Sequence, residues 1–167
     1  MEFKKPLPSF VFPDQPSPMP RIVFLCDDSK VAYEYSSAAT GLISSSEFPS
    51  VAVSLLGKCA DDAEYSERLD EIAQDWLNGV VIIFDRSDRE SYLRIPFWHN
   101  TFLEACPTGR VAILMIDSPG KPRQVDSKDM VILSREMHYR YEIFRVSSSE
   151  DEDLLSAIHK ASFGSQP

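Results

Sequence analysis

The sequence predicts an α/β domain of three layers, with a mostly parallel sheet of about five strands between helices. Three observations carry that prediction. Val80-Val81-Ile82-Ile83-Phe84 and Val111-Ala112-Ile113-Leu114-Met115-Ile116 are unbroken apolar runs, the pattern of strands buried on both faces. Stretches with apolar residues at helical spacing separate such runs. Short polar turns follow them, as repeated strand–turn–helix units require.

The 167 residues suit one domain with a well-formed core. Apolar content of 43% and charged content of 26% fit a water-soluble globular chain. The net charge of −9 argues against nucleic acid and against an anionic membrane surface, both of which select basic faces. No apolar run approaches the roughly 20 residues of a membrane span, so no membrane insertion is expected. Phe10-Val11-Phe12 is too short for a signal-peptide core. Cys26, Cys59 and Cys106 are scattered, with no CxxC pair, which predicts reduced thiols in the cytoplasm, with the nucleus also open. Neither they nor His99, His138 and His159 repeat a ligand spacing, so they predict structural roles rather than a metal site.

Residues 1–20 hold six of the twelve prolines and read as a flexible leader; residues 21–167 read as the single domain. Phe3, Phe10, Val11 and Phe12 leave room for that leader to dock on a partner or on its own domain. Ile22 to Leu25 is the first strand, and a helix is expected from Lys30 to Ile43. Val51 to Leu56 is the second strand. Tyr65, Leu69, Ile72, Ala73, Trp76 and Leu77 give the next helix an apolar stripe, with Trp76 as a core anchor. The third strand is Val80 to Phe84. Pro96 disfavours helix at Ile95, which predicts a short turn over Asp88 to Leu93 and a helix from Pro96 to Ala105, with Trp98, Phe102 and Ala105 facing the sheet.

Val111 to Ile116 is the fourth strand. A helix over Ser127 to His138 and a fifth strand over Tyr141 to Val146 follow. Ser147-Ser148-Ser149 before Glu150-Asp151-Glu152-Asp153 predicts a hydroxyl-capped helix start. Leu154, Leu155, Ile158 and Ala161 give that helix its buried face. The burial prediction is preferred over an acidic dileucine sorting signal at Glu150, Leu154 and Leu155, and the cap is preferred over a phosphorylation site in the serines.

Ligands in such folds sit beyond the carboxyl ends of the strands. Here Gly79 to Tyr92, followed by Trp98, resembles the fourth strand and following turn of Ras-superfamily GTPases, Rab proteins especially. Glu64-Tyr65-Ser66, Val111 to Ile116 and Phe144-Arg145-Val146-Ser147 are similar to further stretches of that scaffold. The resemblance spans about residues 21–163 and implies a Ras-like, P-loop NTPase-like domain. The nucleotide motifs are missing. Where the phosphate loop belongs stand Cys26, Asp27, Asp28, Ser29 and Lys30, with no glycine and with two carboxylates in place of phosphate-binding amides. Lys58-Cys59-Ala60-Asp61 replaces the metal-holding DxxG motif. Ile116-Asp117-Ser118-Pro119 carries none of the guanine-reading residues. The chain also has one strand fewer than the family.

The resemblance therefore implies a pseudoGTPase, of the type of the alpha- and gamma-adaptin-binding protein family or the centromere protein M family. It implies no catalytic residue, no cofactor and no metal. The expected work is binding of one or more protein partners in a multi-subunit complex, as an adaptor-assembly helper, a trafficking factor or a scaffold. The alternative is a receiver-like, magnesium-dependent phospho-acceptor built on Asp27, Asp28 and Asp85: the acidic pair Asp27 and Asp28 holds magnesium, Asp85 beside it takes the phosphoryl group, and Ser118 senses it. It lacks the lysine expected after the fifth strand, where Arg145 and Ser147 stand. A simpler expectation for Asp85 is a strand-end aspartate capping the next turn.

Overall fold

The computed structural model describes residues 19–74, 77–137 and 142–164. Among the described residues five strands are present: β1 (Arg21–Leu25), β2 (Ala52–Leu56), β3 (Gly79–Asp85), β4 (Arg110–Ile116) and β5 (Ile143–Arg145). They form one sheet in the order β2-β1-β3-β4-β5, and every pairing is parallel. Six helices accompany them among the described residues: α1 (Ser29–Ser45), α2 (Asp62–Ala73), α3 (Arg89–Leu93), α4 (Ile95–Ala105), α5 (Ser127–Glu136) and, after β5, α6 (Asp153–Phe163). The predicted three-layer class is what is found, with a sheet that is wholly rather than mostly parallel. The arrangement is consistent with a Ras-like fold.

Alternation along the central strands divides the core into two layers. Val23, Leu25, Val80, Ile82, Phe84, Val111, Ile113 and Met115 pack with Tyr65 and Leu69 of α2, and with Ile95, Trp98 and Phe102 of α4. Ile22, Phe24, Val81, Ile83, Ala112 and Leu114 pack on the other side, with Ala32, Tyr35 and Ala39 of α1 and Leu154, Ala157, Ile158 and Ala161 of α6. Val80 to Phe84 are all fully buried, as a central strand between two helical layers demands. At its foot, Gly79 has no room for a side chain: a Cβ would lie 2.1 Å from the Ala161 carbonyl oxygen and 2.8 Å from that of Arg110.

Several expected boundaries move. Where a turn was expected over Asp88 to Leu93, Arg89–Leu93 is a short helix, capped by Asp88, which accepts from the Glu90 N–H at 3.1 Å. Ile95 is helical despite preceding Pro96: it starts α4, where the proline's missing donor costs no helical bond. Trp98 and Phe102 are buried, and Ala105 is partly so. α2 ends at Ala73, so Leu77 reaches the core from the connection to β3 rather than from the helix; Trp76 lies outside the described residues.

α5 ends at Glu136, and β5 has three residues where six were expected; residues 138–141 lie outside the described set, His138 and Tyr141 among them. The serines do not cap α6. Its N-cap is Glu152, without a side-chain cap bond, and Asp151 organises the turn instead, accepting from the Ser147 and Asp153 N–H groups at 3.0 and 2.9 Å. Leu154 is buried and Leu155 partly so, which places both in the core layer. No helix among the described residues is long and apolar enough to cross a membrane.

Candidate functional site

Strand order changes direction between β1 and β3, since α1 leads outward to β2 while the later units build the other way. The carboxyl ends of β1 and β3 therefore splay around a crevice. A cleft of about 730 Å³ opens there. Five carboxylates line it, from Asp27, Asp28, Asp85, Asp88 and Glu90, with two ammonium groups, Lys30 and Lys58. The sequence-predicted residues Cys26, Asp27, Asp28, Ser29, Lys30 and Asp85 are thus brought to one place.

The side chains of Asp27, Asp28, Ser29 and Asp85 are already engaged within the chain. Asp28 is extended and caps α1: its carboxylate accepts from the Lys30 and Val31 N–H groups at 2.9 and 3.3 Å. Those are the amides a phosphate loop would turn toward a phosphate. The helix end where the resemblance would put an anion is filled by the chain's own carboxylate. Asp27 faces elsewhere, accepting a hydrogen bond from the Tyr65 hydroxyl of α2. Ser29 Oγ accepts from the Lys58 N–H at 2.9 Å. Gly57 permits that contact, because a Cβ there would lie 2.5 Å from Ser29 Oγ. The loops after β1 and β2 therefore meet at Ser29, Gly57 and Lys58.

Asp85 behaves as a capping aspartate. Its Oδ1 accepts from the Ser87 N–H at 2.8 Å, and its Oδ2 accepts from the Ser118 hydroxyl. Ser91 Oγ fastens the same turn, accepting from the Asp85 N–H at 2.9 Å and donating to the Asp88 carbonyl at 2.8 Å. Asp27, Asp28 and Asp85 share the cleft, yet each carboxylate is turned to its own donor. Among the described residues no three His, Cys, Asp or Glu side chains gather as a metal site. Arg145, where the alternative needs a lysine, lies 3.6 Å from Asp117, which Arg123 also approaches at 3.4 Å.

The electrostatics fit a closed polar floor. Burial pushes the Cys26 thiol up to about 12, and the carboxylates of Asp28, Asp27 and Asp85 add to the rise, against a hydrogen bond at the Asp28 backbone that lowers it. The thiol is held protonated at neutral pH. Cys59 and Cys106 are also raised, chiefly by burial, and all three thiols are free. Burial and the bond to Asp27 push the Tyr65 phenol to about 12.

Spacing alone missed Tyr65 as a partner of the cleft: it reads as part of an apolar stripe and, in Glu64-Tyr65-Ser66, of the scaffold resemblance. A tyrosine near a strand-end crevice has a polar tip to satisfy, and that was the available signal. It also missed Arg94, whose guanidinium stacks 4.2 Å above the Phe97 ring and pairs with Asp62 at 3.0 Å, tying α2 to α4 beside the cleft. No protein-family model matches this chain, and no curated protein matches it as a relative.

Proposed function

We propose that this domain is a non-catalytic binding module, a pseudoGTPase that works through protein–protein contacts within a multi-subunit assembly. The observation that carries the proposal is the Asp28 carboxylate seated on the Lys30 and Val31 amides. A phosphate approaching that helix end would have to displace a covalently attached anion and then lie beside it. Two like charges about 4 Å apart repel by about 4 kcal/mol at a near-surface dielectric. A fold of this kind that has surrendered its anion site retains broad rigid faces for partners. Its acidic surface suits partners with basic surfaces, and three free thiols suit a reducing compartment, the cytoplasm.

Thermal unfolding with GTP, GDP or ATP, each with and without magnesium, tests the proposal. A ligand at a hundred times its Kd would stabilise the fold by about 2.7 kcal/mol. The expected shift is none. A magnesium-dependent rise in Tm that disappears in Asp85→Asn would overturn the proposal. In support, the purified chain should form a stoichiometric complex with a protein partner whose affinity does not respond to nucleotide.

One observation favours a second reading, the receiver-like phospho-acceptor. The Ser118 hydroxyl donates to Asp85, so a hydroxyl after β4 meets an aspartate after β3. Under this reading, beryllofluoride with magnesium should raise Tm, and Asp85→Asn and Asp27→Asn should each abolish the rise. We keep this reading second, since no three His, Cys, Asp or Glu side chains gather among the described residues.

A further inference from the structure

The two edges of the sheet are guarded differently. At β5, Glu142 lies 3.7 Å from Lys160, and Arg145 lies 3.6 Å from Asp117. Charge on a short edge strand discourages the addition of further strands. β2 lacks that protection. Ala52-Val53-Ser54-Leu55-Leu56 carries no charge and no proline, and it pairs with β1 residue for residue, without a bulge. Ala52 donates to the Pro20 carbonyl at 2.8 Å, and the Leu56 carbonyl accepts from the Cys26 N–H at 3.1 Å, so these two residues turn their backbone groups toward β1. By the alternation of a strand, Val53 and Leu55 turn theirs outward. Among the described residues no strand lies on that side, and the Leu55 side chain is 41% exposed.

We propose that this edge is a homodimer interface, in which β2 pairs antiparallel with β2 of a second copy about a two-fold axis at Ser54. The register follows from the outward groups. Antiparallel strands exchange bonds in pairs, between residues whose N–H and C=O face each other. A two-fold at Ser54 sets Val53 opposite Leu55 of the second copy, and Leu55 opposite its Val53. The outward N–H and C=O of both residues are then satisfied in each copy, and the two sheets join into one. Leu55 also acquires Val53 of the second copy as a neighbour on the same face, which covers its exposed side chain.

Charge chooses the occupant. The chain carries −9, and a face that meets its own copy sets like charge against like unless it is neutral. A basic partner would be drawn to the acidic faces instead. The neutral strip continues from β2 onto the helix above it. α1 packs over β2, and from Tyr35 to its end it holds no charged residue. Ser37, Thr40, Gly41 and Ser44 are exposed there at helical spacing, and a Cβ on Gly41 would meet no atom within 4 Å. Joined edge strands lie about 4.8 Å apart, which brings the two α1 helices side by side. Helix axes approach to about 8 Å where the side chains between them are short, as these are. The inference is independent of the protein-binding proposal above, since a domain of any activity could pair through this edge.

Sedimentation equilibrium of the full chain, with amide exchange read by NMR, tests it. The mass should rise from one chain to two with concentration. The Val53 and Leu55 amides should slow by at least about tenfold as the dimer forms, as newly hydrogen-bonded positions do. Leu55→Lys places a charge of each copy diagonal to its counterpart on one face, and should weaken association by at least about tenfold. Val53→Pro removes an outward donor and no bond to β1, and should do the same. Slow exchange at Val81 in the central strand reports that each variant remains folded. A chain that stays monomeric at the concentrations NMR requires overturns the proposal. So does a dimer whose Val53 and Leu55 amides exchange freely, because it pairs through another face. Slow exchange at those amides in the monomer would assign the edge to another part of the same chain, and would overturn it too.

Discussion

Asp28 shows how one side chain can decide what a crevice does. Its carboxylate satisfies two of the unpaired amides at the start of α1, and it places a negative charge at the positive end of the helix. Asp28→Ala should therefore lower stability by about 1 kcal/mol, read as a lower urea midpoint with unchanged slope. The same variant should still show no thermal shift with GTP, because Asp27 remains and the turn after β1 has no glycine-rich loop to cradle phosphates. The neighbouring aspartates also show why the site was only half legible from spacing. The sequence places Asp27, Asp28 and Asp85 at strand ends, and they do share a cleft. Where each carboxylate points depends on partners far away in the chain. Tyr65 for Asp27 and Ser118 for Asp85 are found only once the helices are packed. Ser118 belonged to the weighed constellation; Tyr65 did not.

At the scale of elements, the legible parts were those whose surroundings are uniform. β3 and β4 lie between two helical layers, so continuous apolar runs marked them nearly to the residue. Elements set by local capping were harder. α3 was read as a turn, and the start of α6 was assigned to serine hydroxyls when Asp151 makes the bonds. In both cases an aspartate competes for the same amides, and spacing does not say which acceptor wins. Contact between elements is sharpest where α6 crosses the foot of β3. A methyl group on Gly79 would meet backbone oxygen on both sides, from Ala161 and Arg110, with no flexible side chain to yield. Gly79→Ala should cost about 2 kcal/mol and lower Tm by roughly 4–8 °C. Gly41→Ala is the matched control. It sits in α1 with no atom within 4 Å of the new methyl, and should be neutral or mildly stabilising.

The whole molecule carries a net charge of −9, yet two of its carboxylates gain from folding. The N–H of Asp126, followed by the Arg89 guanidinium, holds the Asp129 carboxyl below the usual carboxylate range. The N–H groups of Ser147 and then Asp153 do the same for Asp151. A carboxyl that is more acidic in the folded state stabilises the fold at neutral pH. That contribution fades as pH falls below about 4, where the unfolded chain takes up protons first. Urea midpoints at pH 7 and pH 3 should therefore fall less in Asp129→Asn and Asp151→Asn than in the parent chain. The architecture also has a consequence in time. The face of β3 and β4 formed by Val81, Ile83, Ala112 and Leu114 is covered by α6, the last described element to be synthesised. While the ribosome is still making Asp153–Phe163, that face has no cover, and the emerging chain presents a continuous sticky surface. Chaperones that hold nascent chains would meet this protein there, in the interval before its final helix docks.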